Sequence, residues 1–221
     1  MILSAEAEKQ QTILKAEAMG VDATRLLLKG GRYEPQELLE RWQQERMGGC
    51  ADPFRRAMEQ AAALLKESKD PQQADLLLDK AMYAEMTQLA KDSRSAFLEG
   101  YVRILVDAAN LRTAVRVYRM DKDEEFLRGV LLEGGNVSVQ TVAGARGEGI
   151  ADVFQSGALA EAAKLGAALI KPGSGALTAF EKACDDAVTK YVSAARRVPF
   201  GAQVLTGYLS AREAVRTAVR T

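Results

Sequence analysis

The sequence predicts an all-α fold of layered helical repeats with little or no strand, on three observations. Helix starts are legible, because acidic caps precede proline at Asp52-Pro53 and Asp70-Pro71. Proline's fixed φ suits a first helical turn, and its missing N–H leaves no donor unsatisfied there. Apolar residues then recur at helical spacing; few segments alternate as strands should, and Asn136 to Val139, a short one, is the best candidate. Finally, Arg112-Thr113-Ala114-Val115-Arg116 reappears letter for letter as Arg216-Thr217-Ala218-Val219-Arg220, a period of roughly 100 residues.

The predicted helices cover 4–19, 23–29, 35–46, 53–67, 71–91, 94–121, 123–132, 139–145, 157–170, 176–197 and 202–221. Glu34-Pro35 opens the third, and Gly48-Gly49 closes it, since glycine accepts the left-handed conformation at a helix end. Ser93 is the expected N-cap of the helix over 94–121, which carries the strongest pattern. There Phe97, Tyr101, Ile104, Ala108, Leu111, Val115 and Tyr118 alternate spacings of four and three. Val102, Val106, Ala109, Thr113, Val117 and Met120 form an opposed seam, so the helix is expected to be sandwiched between layers. Glu99, Arg103, Asp107 and Asn110 take one remaining edge, and Arg112, Arg116 and Arg119 the other. Further on, Lys171 to Gly175 reads as a turn, and Pro199-Phe200-Gly201 breaks one helix before the next.

A third copy of the repeat lies near the start, where Met19, Asp22, Leu26 and Gly30-Gly31 match Met120, Asp123, Leu127 and Gly134-Gly135 after a short insertion. Each unit reads as a basic helix end, a turn, a short helix and a Gly-Gly stop. The division this implies is a partial first repeat at 1–51, a second at 52–150, and linker helices with the start of a third at 151–221.

Several function classes lose their chemistry. There is no histidine, which removes Ser-His and Cys-His pairs and HExxH zinc sites. Cys50 and Cys184 stand far apart without CxxC spacing and read as buried thiols. Nucleotide binding lacks its loop: no GxxxxGK followed by Ser or Thr occurs, and Gly144 to Gly149 has the wrong spacing. Asp185 and Asp186 are adjacent, but neighbouring helical positions diverge by about 100°, so a shared acid-base site is not expected. Thirty basic and thirty acidic residues give no net field toward nucleic acid, and no apolar run approaches a spanning helix. No metal or cofactor is expected.

Two features suggest a partner. Arg112, Arg116 and Arg119 place three like charges on one helical edge, which must be answered either by acids of the same chain or by another molecule. Phe200, in its turn, can be a simple helix break or a docking knob.

One family resemblance runs through the same residues. In order and spacing, Ala74-Asp75-Leu76 through Tyr83, Phe97 to Val102, Asn110 to Thr113, Phe126-Leu127, Leu131 to Gly135, Phe180-Glu181-Lys182 with Asp185-Asp186, and Val198 to Gly201 resemble the C subunit of archaeal and bacterial V/A-type rotary ATPases, whose counterpart in the vacuolar branch is the d subunit. The resemblance implies a funnel of three helical layers about a pseudo-threefold axis, and a non-catalytic socket. That socket receives the central stalk, rests on the membrane proteolipid ring at the cytoplasmic face, and couples ATP chemistry to ion transport. Members of this family usually extend beyond both ends of the present chain, so the first layer is expected to be incomplete and the third to stop at Thr221. The alternative is a free-standing helical scaffold that grips a partner helix between layers.

Overall fold

The computed structural model describes residues 52–211 apart from 146 and 172, together with 34, 37, 40, 41, 44, 46, 48 and 213. Among these the fold is all-α, without strands. The chain forms two compact units, 1–88 and 89–221. Their boundary falls inside a helix. The first and third copies of the repeat lie largely outside the described residues, as do Cys50 and the predicted helices at 4–19 and 23–29.

In the first unit, α1 (Asp52–Ser68) and the larger part of α2 (Pro71–Asp92) share one core. Phe54, Ala57, Met58 and Ala61 meet Ala74 and Leu78, flanked by Leu65, Leu77 and Ala81. The turn between them follows from its residues. Lys69 adopts φ 54°, which ends α1. Asp70 then caps α2 by accepting the Gln72 amide at 2.9 Å, with Pro71 in the first turn as its fixed φ requires.

The second unit is organised around α3 (Ala96–Arg119), followed by α4 (Glu124–Val130), α5 (Val139–Gly144), a 3-10 turn at Gly147–Gly149, α6 (Ile150–Val153), α7 (Ala160–Ala168) and α8 (Thr178–Ala194). A 3-10 turn at Gly201–Leu205 leads into helical residues 206–211. The sandwich expectation holds over the middle of α3, where Tyr101, Val106, Ala108, Leu111, Ala114 and Val115 are at most 1% exposed. It fails at the C-terminal end, since Met120 is 59% exposed. Helices α7 and α8 both pack on α3 and on each other. The fit is close: a Cβ on Gly166 of α7 would lie 2.8 Å from both Phe180 and Val115.

Two local expectations are corrected. Ser93 does not cap α3; its hydroxyl bonds to the Ala90 carbonyl at 2.6 Å and so finishes α2. Arg94 then takes φ 53°, and the cap falls to Ser95, whose side chain accepts the Leu98 amide. Residues 136–139 are no strand, because Ser138 caps α5 by accepting the Thr141 amide at 3.1 Å. The Asn136 and Val137 amides are satisfied by a carboxylate, Asp107, instead of a neighbouring strand.

Candidate partner interface

Each polar edge of α3 carries groups that face inward. On the first, Asp107 and Asn110 are 4% and 1% exposed, although Glu99 and Arg103 beside them pair at the surface. Asn110 donates its amide to the Leu132 carbonyl at 2.8 Å and accepts the Leu132 N–H at 2.8 Å. A side chain thus replaces one rung of backbone pairing for a buried loop residue. Asp107 accepts the Asn136 amide at 3.1 Å, the Asn136 side chain at 2.8 Å and the Val137 amide at 3.2 Å. Burial pushes the Asp107 carboxyl above its ordinary range, against the pull of these donors and of Arg103. The Gly-Gly stop has its reason here. A Cβ on Gly135 would come within 2.2 Å of an Asp107 oxygen, and Gly134 sits at φ 100°.

The opposite edge holds the predicted arginine row, and all three members bond within their own unit. Arg112 donates to the Asp185 carboxylate at 2.5 Å and to the Glu181 carbonyl at 3.1 Å, with the two charged side chains 11% and 13% exposed. Arg116 pairs with Glu181 but keeps 54% of its side chain exposed. Arg119 reaches the Leu169 and Gly175 carbonyls, both at 3.1 Å, so it ties down the loop between α7 and α8. Asp185 and Asp186 diverge as helical geometry requires, the first toward Arg112 and the second to Lys182 at the surface.

Three more contacts fasten α3. Phe97 stacks on Tyr191 of α8 with centroids 5.6 Å apart, and the Tyr191 hydroxyl donates to the Phe97 carbonyl at 3.0 Å. The Tyr101 hydroxyl donates to buried Glu213 at 2.5 Å, and that of Tyr118 donates to the Ala145 carbonyl. Asp107, Asn110 and the tyrosines escaped sequence reasoning as anchors. The signal was a polar pair three apart, Asp107 and Asn110, lying between the two apolar seams of the helix.

What remains for a partner is therefore surface. Phe200 is 74% exposed, the highest value among the exposed large apolar residues, with Val198 at 40%, Val204 at 61%, Leu205 at 37% and Tyr208 at 56% close by in sequence. Met120 at 59% and Phe126 at 44% are also exposed, and the Lys122 ammonium lies 5.9 Å from the Phe126 ring centre. Among the described residues no group of acids and thiols could hold a metal ion, and no helix is long and apolar enough to cross a membrane.

Comparison with known proteins agrees with the order of these motifs. The family described as ATP synthase (C/AC39) subunit matches residues 1–214. Among curated proteins, the V-type ATP synthase C subunit of each of two Thermus thermophilus strains is 27% identical over 138 residues, covering 58% of this chain and 42% of the relative. The chain thus matches less than half the length of those relatives.

Proposed function

Because the chain belongs to the ATP synthase (C/AC39) subunit family, we propose that it is a non-catalytic rotor subunit of a V/A-type ATPase or ATP synthase. It joins the central stalk to the membrane proteolipid ring at the cytoplasmic face, and so couples ATP chemistry to proton or sodium transport. The observation that carries this reading is the family match over 1–214. The build of the second unit supports it. A part that passes torque must not let its helices slide, and α3, 24 residues and about 36 Å long, is tied along both edges. Asp107 and Asn110 hold the loop after α4, while Arg112, Arg116 and Arg119 hold α8 and the loop before it. Of the four residues singled out in the sequence, Arg116 and Phe200 keep largely exposed side chains. Arg116 is the one assigned here to a partner protein of the complex. The test is isolation of the affinity-tagged chain from its native membranes under mild detergent, with its companions identified by mass spectrometry. Stalk and proteolipid-ring proteins are expected in the same particle. A soluble assembly without them would replace this reading with the free-standing scaffold.

A further inference from the structure

From Ala187 to Arg212 the chain carries no acidic residue, although acids and bases are equal in number, 30 each, over its whole length. The basic residues of that stretch are Lys190, Arg196, Arg197 and Arg212. Lys190, Arg196 and Arg197 are exposed, and none of the three enters an ion pair among the described residues. Directly after the arginine pair come the exposed Val198 and Phe200, then Val204, Leu205 and Tyr208. Val204 and Tyr208 are four apart, whereas Thr206 and Leu209 point inward at 8% and 0% exposure. One side of this segment is therefore fastened to the unit, and the other presents an aromatic and aliphatic surface beside unanswered positive charge.

We propose that this segment, Arg196 to Tyr208, rests on an anionic lipid surface, with Phe200 entering the headgroup boundary and Arg196 and Arg197 meeting lipid phosphates. Charge selects an anionic occupant. Size selects a bilayer over a folded protein, since a standard protein interface engages roughly 20–30 residues a side with matched shape, and this patch offers five apolar side chains and a few cations. A fluid headgroup layer needs no matching contour, and it rewards aromatic insertion flanked by basic residues. The second apolar exposure, at Phe126, supplies the internal contrast, because the acids Asp121, Asp123, Glu124 and Glu125 directly precede it and outnumber the bases Lys122 and Arg128 on either side.

The experiment is flotation of the full chain with vesicles of phosphatidylcholine alone or with about one third phosphatidylglycerol, at low and high salt. Binding is expected on the anionic vesicles only, weakening as salt rises. Arg196→Gln with Arg197→Gln should lower it by roughly twentyfold or more, from about fivefold per basic residue. Phe200→Ser should also lower it, while Phe126→Ser leaves it unchanged. Circular dichroism and thermal melting are expected to match wild type, since the replaced side chains are exposed. Absence of binding to anionic vesicles, equal binding to both vesicle types, or equal loss from Phe126→Ser overturns the proposal. So does loss of partner proteins without loss of lipid binding in the Arg196/Arg197 variant, which reassigns the patch to a protein contact. The vesicle readouts do not depend on the rotor assignment, so either reading can fail alone.

Discussion

Asn110 and Leu132 are joined by two hydrogen bonds at once, the side-chain amide donating to the carbonyl and accepting the N–H, both at 2.8 Å. Because Leu132 is 8% exposed, water does not readily replace either bond. Asn110→Ala should therefore destabilise the second unit by about 2–4 kcal/mol, the cost of two unsatisfied buried backbone groups. Asn110→Leu, which restores bulk but not polarity, should recover little. Urea titration by circular dichroism measures both. A loss under about 0.5 kcal/mol, typical of surface changes, would show that the loop is not anchored there.

A Cβ on Gly100 would lie 2.2 Å from the Tyr191 hydroxyl, whose ring is held by Phe97. Gly100→Ala is expected to cost about 1–3 kcal/mol as overpacking. Removing the hydroxyl in Tyr191→Phe should return part of that loss, so the double variant is more stable than the sum of the single changes. Strict additivity would mean the two side chains do not meet.

The arginine row divides by burial. Arg112→Ala removes one partner of a pair whose side chains are 11% and 13% exposed, and should cost about 3 kcal/mol or more. Arg116→Ala, at an exposed pair, should cost about 1 kcal/mol or less in the isolated chain. If Arg116 meets a partner protein, Arg116→Glu lowers assembly while leaving the melting temperature nearly unchanged. Equal stability losses for Arg112 and Arg116 would contradict the packing of α3 on α8.

Asp107 carries a pH signature. Its folded pKa is raised by burial, so the folded state holds its proton to higher pH than the unfolded chain does. Its contribution is full below the ordinary carboxylate pKa and is lost as pH rises through the raised folded value. The difference in stability between wild type and Asp107→Asn should accordingly shift in favour of the variant as pH rises through that window. The variant still forfeits an acceptor for the Val137 amide, at about 1–3 kcal/mol. A pH-independent difference would mean that folding does not shift the Asp107 pKa.

The sandwiched nature of α3 was legible because two seams of apolar residues cannot both face water, and the Asp70-Pro71 start because cap and proline act within one turn. Leu111 bears this out at 0% exposure, and Leu111→Ala should cost roughly 2–5 kcal/mol by denaturant titration. The Ser93 and 136–139 expectations failed for a common reason. Each turned on a partner supplied by another part of the chain: the Ala90 carbonyl for Ser93, and the Asp107 carboxylate for Asn136 and Val137. Local pattern shows that a residue is polar and on which face it lies, not what lies across from it. The arginine edge shows the same limit, since Asp185 and Glu181 lie 73 and 65 positions from Arg112 and Arg116.

The most direct test of the rotor assignment is the ratio of ions transported to ATP hydrolysed in reconstituted complexes with and without this chain. A coupling element that performs no chemistry leaves hydrolysis running when it is removed while ATP-driven transport collapses, and adding the chain back restores the ratio. Complexes that lack the chain yet transport ions at the complete complex's ratio would contradict the account.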